Sequence, residues 1–220
     1  IDEAREIDSA RIDSYVEEAM LFYKTGDYDR SIEIAQKAIG NSTIGGSDEK
    51  KSRADLYYVM GDAYLEKEDY ANASSALESA IDLYDGNNLY YRDYAISLAK
   101  AQYLDKAEEV LSKAIEANLN EDSVKYCEAE IAFAKRELDE ADAKFHSVLN
   151  ESEDLELVTR STLMLSRCYR ERGDIDARIA FLDEQIGKAD RSIQMRLIRE
   201  LADSWVMKAH VDSDQAPDCY

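Results

Sequence analysis

A single proline, Pro217, and eight glycines stand in 220 residues, so almost nothing along this chain interrupts a helix and long all-β readings fit poorly. Three cysteines, Cys127, Cys168 and Cys219, are too few and too scattered for a disulfide framework or a zinc cluster. Cys127 and Cys168 fall inside helical patterns, where a small buried thiol is expected. His146 and His210 are the only histidines, and His146, beside Phe145 on a helix, reads as a packing residue. No helical His-x-x-x-His pair, Cys-x-x-Cys pair or glycine-rich phosphate loop occurs. The acidic run Glu151-Ser152-Glu153-Asp154 lacks the residue order of a calcium loop. No catalytic residue, cofactor or metal site is therefore expected, and the chain does not read as an enzyme.

Basic residues are also short, 27 against 48 acidic ones, for a net charge of -21. Such a field repels phosphate backbones and anionic lipid, which argues against nucleic-acid and membrane-surface partners. No stretch approaches the roughly 18 apolar residues of a membrane span, so no direct membrane insertion is expected of this segment. The chain opens on Ile1 rather than methionine. The expectation is a processed product or an excised piece, cytoplasmic, or extracytoplasmic if an upstream anchor was removed.

Against these absences stands a repetition. Ala73, Ala107 and Ala141 recur every 34 residues, and Ala80, Ala114 and Val148 follow each by seven. A fixed period in this range marks a solenoid of stacked supersecondary units. Tyr15–Ile39 shows one such unit: apolar residues at helical spacing on both sides of a turn at Lys24-Thr25-Gly26-Asp27-Tyr28. Gly26 is placed to end the first helix in a left-handed conformation and Asp27 to cap the second.

In this arrangement the chain resembles the tetratricopeptide repeat family, whose unit has the same length. The family pattern is an aromatic, a large-small pair and a second aromatic on the first helix, a Gly-x-Tyr turn, then small residues on the second. Unit one offers Tyr15, Glu18-Ala19, Phe22, Gly26, Tyr28, Ser31, Ala35 and Ala38. Unit two offers Tyr57, Met60-Gly61, Tyr64, Tyr70, Ala73, Leu77 and Ala80, with Glu68 in place of the turn glycine. Unit three offers Tyr91, Tyr94-Ala95, Leu98, Leu104, Ala107, Leu111 and Ala114. Unit four, with Lys125, Glu128-Ala129, Ala132, Leu138, Ala141, Phe145 and Val148, has a degenerate first helix. Unit five has Thr162, Leu165-Ser166, Tyr169, Gly173 and Ile175, and Arg178 where a small residue belongs, so its hairpin is not expected to close tightly.

The resemblance implies an all-α, right-handed α-α superhelix of about five helix-turn-helix repeats, at residues 13–46, 55–88, 89–122, 123–156 and 160–192, within 15–187. Residues 1–14 read as an N-terminal helical extension, 189–210 as a capping helix and 211–220 as a disordered tail. The register slips twice. Eight extra residues between units one and two fall in Gly40–Lys50, expected to be a polar, flexible loop, and three more fall near Glu151–Glu156. The small residues allow helices to approach, and Tyr15, Tyr57, Tyr64 and Tyr91 read as packing aromatics.

By the same resemblance, recurring slots of the first helices face a concave groove. From these, Tyr23, Tyr58, Leu65, Arg92, Ile96, Tyr126, Phe133, Leu163, Arg167 and Arg170 form the candidate peptide-binding set. Tyr58, Ile96, Tyr126 and Phe133 would anchor apolar side chains, and Arg92, Arg167 and Arg170 would pair with acidic groups. Groove slots of units one and two sum to -3 and those of units three to five to +3. The carboxylate clamp of chaperone-binding members needs a Lys and an Asn where this chain has Val16 and Met20, so that role is not expected. The leading reading is a non-enzymatic protein- or peptide-binding scaffold of unidentified partner. The alternatives are a soluble sensory or structural segment of a larger membrane-anchored lipoprotein or receptor-type kinase, and self-association through the array.

Overall fold

The structure is a computed structural model that describes residues 9–41 and 47–215. Among the described residues there are eleven helices and no strand. They are α1 (Ser9–Lys24), α2 (Tyr28–Asn41), α3 (Ser47–Glu66), α4 (Tyr70–Leu83), α5 (Asn88–Lys100) and α6 (Leu104–Glu116). Then come α7 (Glu121–Ala134), α8 (Leu138–Glu151), α9 (Leu155–Arg172), α10 (Ile175–Lys188) and α11 (Arg191–Gln215). The chain divides into two compact units, Ile1–Cys127 and Glu128–Tyr220, with the division inside α7.

In unit 1 the helices pair as antiparallel hairpins, α1 with α2, α3 with α4 and α5 with α6, and successive hairpins stack through α2 on α3 and α4 on α5. In unit 2, α8 packs on α9, α9 on α10 and α10 on α11. The alanines at 34-residue spacing explain why the stacks are this close. Ala73, Ala107, Ala141, Ala80, Ala114 and Val148 all have no solvent exposure. At Gly61 the backbone of α3 approaches α4 so closely that an added Cβ would lie 2.6 Å from Leu77 Cγ. The first hairpins enclose Ile12, Ala19, Ile32, Ala35, Leu56, Val59 and Ala63, with Tyr15, Tyr57 and Tyr64 against them.

The turn inside each hairpin repeats one backbone geometry. Gly26, Glu68, Gln102, Arg136 and Gly173 all have φ between 59° and 81°. At each, the residue's own N–H reaches the carbonyl three back and the next N–H the carbonyl five back. Examples are Gly26 to Tyr23 and Asp27 to Phe22, or Glu68 to Leu65 and Asp69 to Tyr64. This double closure satisfies the last carbonyls of the first helix and requires the left-handed residue between them. Asp27, Asp69 and Asp174 then accept from backbone N–H groups of Arg30, Asn72 and Ala177 at the start of the second helix.

Two expectations change and a third is met. Of the insertion at 40–50, Gly40 and Asn41 lie in α2 and Ser47–Lys50 in α3, while 42–46 lie outside the described residues. The inserted residues thus give α3 two extra turns, and one of these places the Ser52 hydroxyl on Asp13 of α1. The last helix continues to Gln215, five residues into the stretch expected to be disordered, with 216–220 outside the described residues. The third concerns Arg178. Its side chain is buried in α10 and donates to Ser166 Oγ of α9 at 2.9 Å and to Glu200 of α11. The arginine stands where a small residue belongs, and α9 and α10 do pack less extensively on each other than the helices of the first three hairpins, while α11 supplies the carboxylate that the buried guanidinium needs.

Candidate functional site

The floor of the candidate groove in unit 1 is a cross-linked polar seam. The Tyr58 hydroxyl on α3 donates to Asp93 Oδ2 on α5 at 2.9 Å, and the Tyr90 hydroxyl on α5 donates to Asp55 on α3. The two rings stack between these bonds with centroids 5.0 Å apart. Arg92 lies against the same carboxylate, its Nε and Nη2 each 2.9 Å from an oxygen of Asp93. Its carbonyl accepts from the Cys127 thiol of α7 at 3.7 Å. Burial, then the charges of Asp62 and Asp93, push the Tyr58 phenol well above its usual value. Burial and the hydrogen bond to Asp55 do the same to Tyr90.

This seam corrects part of the predicted set. Arg92, Ile96 and Tyr126 are 2%, 2% and 3% exposed, so none is open to a ligand. The reason is that α5 packs against α3, α4 and α6, which buries every residue from Arg92 to Ala99. Arg92 is committed to Asp93, and Ile96 and Tyr126 are core. Tyr58 is half-buried with its hydroxyl engaged on Asp93. Tyr23 and Leu65 are also half-buried. Beside them Glu66 accepts from the Tyr28 hydroxyl at 3.4 Å.

Unit 2 holds the other four predicted residues. Leu163, Arg167 and Arg170 follow one another at i, i+4 and i+7 on α9 and so share one side of that helix. Leu163 and Arg167 are half-buried and Arg170 is exposed. Phe133, half-buried, sits in the last turn of α7. Arg136, just past that helix, pairs with Glu171 of α9 at 2.6 Å and so ties the two helix ends together.

The surrounding arginines are neutralised. Arg160 meets Glu156 at 2.9 Å, and Arg172 meets Asp139 and Asp142 at 2.9 and 3.3 Å. Arg170 has no such partner among the described residues. His146 packs edge-on to Phe181, and its Nδ1 lies 3.1 Å from the Asp142 carbonyl oxygen. No group of three His, Cys, Asp or Glu side chains converges as a metal site among the described residues. Nor, among them, is any helix long and apolar enough to cross a membrane.

Sequence reasoning missed Tyr90 and Asp93, and counted Asp55 among the groove slots without pairing it. A signal was present: Asp55-x-x-Tyr58 on one first helix answers Tyr90-x-x-Asp93 on the next, the same spacing in reversed order.

The tetratricopeptide repeat family model matches residues 12–42 and 54–87, the first two units. No curated protein matches the chain significantly. Among solved structures, a thermophilic tetratricopeptide protein of Thermus thermophilus is 16% identical with a TM-score of 0.64, over 87% of this chain and 99% of that one. The Cut9–Hcn1 hetero-tetramer of the APC/C is 14% identical with a TM-score of 0.59, over 88% of this chain and 36% of that one. A Podosopora anserina kinesin light chain with nearly identical repeats is 14% identical with a TM-score of 0.52, over 92% of this chain and 99% of that one. At these identities the likeness concerns the fold. Two units match the tetratricopeptide repeat family model and the later hairpins turn as those units do, so the fold is a tetratricopeptide-type array of helical hairpins.

Proposed function

We propose that this protein is a non-enzymatic protein-interaction scaffold and that its open binding surface is the side of α9 in unit 2 carrying Leu163, Arg167 and Arg170, with Phe133 as an apolar contact. The ligand class is a short acidic and hydrophobic peptide segment. The observation that carries this reading is Arg170, an exposed arginine without an acidic partner in a chain of net charge -21, while Arg136, Arg160 and Arg172 nearby are all paired. A guanidinium left uncompensated beside half-open apolar side chains suits a carboxylate flanked by an apolar residue, because the planar fork takes a carboxylate bidentately. The half-open residues of unit 1, Tyr23, Tyr58 and Leu65, border acidic groups and do not favour the same ligand.

The test is a fluorescence-anisotropy titration with a pool of acidic-hydrophobic peptides and a charge-reversed pool. The expected result is preference for the acidic pool, lost in the Arg167→Glu, Arg170→Glu double variant with helicity unchanged. Equal binding of both pools, or binding that survives the double variant, would overturn the assignment.

A further inference from the structure

The last helix buries one side and leaves another apolar side open. Leu197 and Ser204 face α9 and α10, Glu200 accepts from buried Arg178, and Lys208 pairs with Asp176 of α10. About a third of a turn away, Met195, Ile198, Ala202, Trp205 and Ala209 recur at three- and four-residue steps, with Val206 beside them. Met195, Ile198, Trp205 and Val206 are 69%, 44%, 51% and 57% exposed, and Ala202 and Ala209 are exposed as well. Ala202 stands in the position that, in three preceding hairpins, meets the second helix of the same unit, as Ala19 meets Ser31, Gly61 meets Leu77 and Ser166 meets Arg178.

We propose that this stripe is the contact between two copies of the chain, paired antiparallel through α11 about a two-fold axis near Ala202. Three observations select a second copy rather than an unrelated helix. The small Ala202 lies at the centre of the stripe, where two backbones would come closest. Charge along the helix is self-complementary. Arg191 and Arg199 precede Ala202 and Asp203 follows it, while the charges of opposite trend, Glu200 and Lys208, are already engaged within the chain. Arg199 and Asp203 border the stripe on the same side, one on each side of Ala202 along the axis, and neither has an ionic partner among the described residues.

An antiparallel two-fold sets Arg199 of each copy opposite Asp203 of the other, and both pairs form together because the contact is isologous. A helix of 25 residues is about 37 Å long, and covering this stripe on both copies removes on the order of 1,000 Å² from water, the lower end of specific association.

Sedimentation equilibrium over a concentration series, followed in parallel by emission of the sole tryptophan, Trp205, tests the pairing. A monomer–dimer equilibrium with a blue shift on association is expected. Ala202→Arg, at an exposed position that leaves the monomer fold intact by circular dichroism, should weaken the dimer at least about tenfold. Arg199→Asp and Asp203→Arg should each weaken it similarly by setting like charges face to face, and an equimolar mixture of these two variants should regain the dimer. A parent chain that stays monomeric throughout would overturn the proposal. So would a dimer indifferent to Ala202→Arg, or one that the mixture of charge variants fails to restore.

Discussion

Tyr58 and Asp93 lie 35 residues apart and meet at 2.9 Å, one repeat plus one residue along the array. Tyr90 and Asp55 repeat the relationship in the opposite sense. The two crossed bonds therefore pin α3 to α5 in a single register, because a slip of one residue would break both. Asp93 also carries the buried Arg92, and neither side chain is more than 3% exposed. Removing one partner of such a pair strands the other charge in a medium that solvates it poorly. Asp93→Ala is expected to cost about 3–5 kcal/mol, measured by urea denaturation. Replacing Arg92 and Asp93 together by Met and Leu should cost much less.

Alkali should unfold this half of the protein early. Phenols ordinarily titrate near 10, and both Tyr58 and Tyr90 are held above that in the folded state, so the folded form keeps protons that the unfolded form releases. The stability they contribute is complete below pH 10 and is lost as the pH rises beyond it. Phenolate absorbance and helical circular dichroism should then change together in one steep step. In the Tyr58→Phe, Tyr90→Phe variant the alkaline dependence should be shallower.

Left-handed turn positions offer a test with opposite signs. Glu68 and Gln102 occupy φ values of 59° and 67° that side chains with a Cβ adopt at a cost, whereas Gly173, at 74°, does not incur it. Glu68→Gly and Gln102→Gly should raise stability by up to about 1 kcal/mol each, and Gly173→Ala should lower it by about 1 kcal/mol. Thermal melts of the three variants check the order.

Glu200 is the carboxylate that makes a buried arginine acceptable in α10. Glu200→Ala leaves the Arg178 guanidinium with Ser166 Oγ as its remaining oxygen partner there. The expected loss is about 1.5–3 kcal/mol, the value of a hydrogen bond to a charged group, read from the unfolding midpoint. Amide exchange in α11 should accelerate with it, since this pair joins α11 to α10.

Cys168 should be chemically silent. Burial, reinforced by Asp142, pushes its thiol up to about 12, so thiolate is scarce near neutral pH. Cys127 is buried with no solvent exposure. Mass spectrometry after brief alkylation should find both unmodified in the native protein and both labelled in denaturant.

The hairpin array could be read in the chain because its cause is periodic. Small residues must recur wherever helices touch at a fixed interval, and Ala73, Ala107 and Ala141 record that interval directly. Gly26 and Asp27 mark a local turn whose geometry needs only neighbouring residues. Fold class, hairpin turns and the apolar slots of the last helix all belong to this kind of information.

Accessibility belongs to another kind. Arg92 and Arg170 carry the same side chain and both fall in expected groove slots, yet one is sealed against Asp93 and the other lies open. What separates them is how many neighbours pack around α5 and around the last turn of α9, a sum over distant segments that no local pattern encodes. Arg178 depends likewise on Glu200, 22 residues away. The repeat period alone determined that helices would stack. Tertiary structure decided which charges are buried as pairs and which remain to meet a partner, because desolvation depends on everything packed around a group and not on its neighbours in sequence.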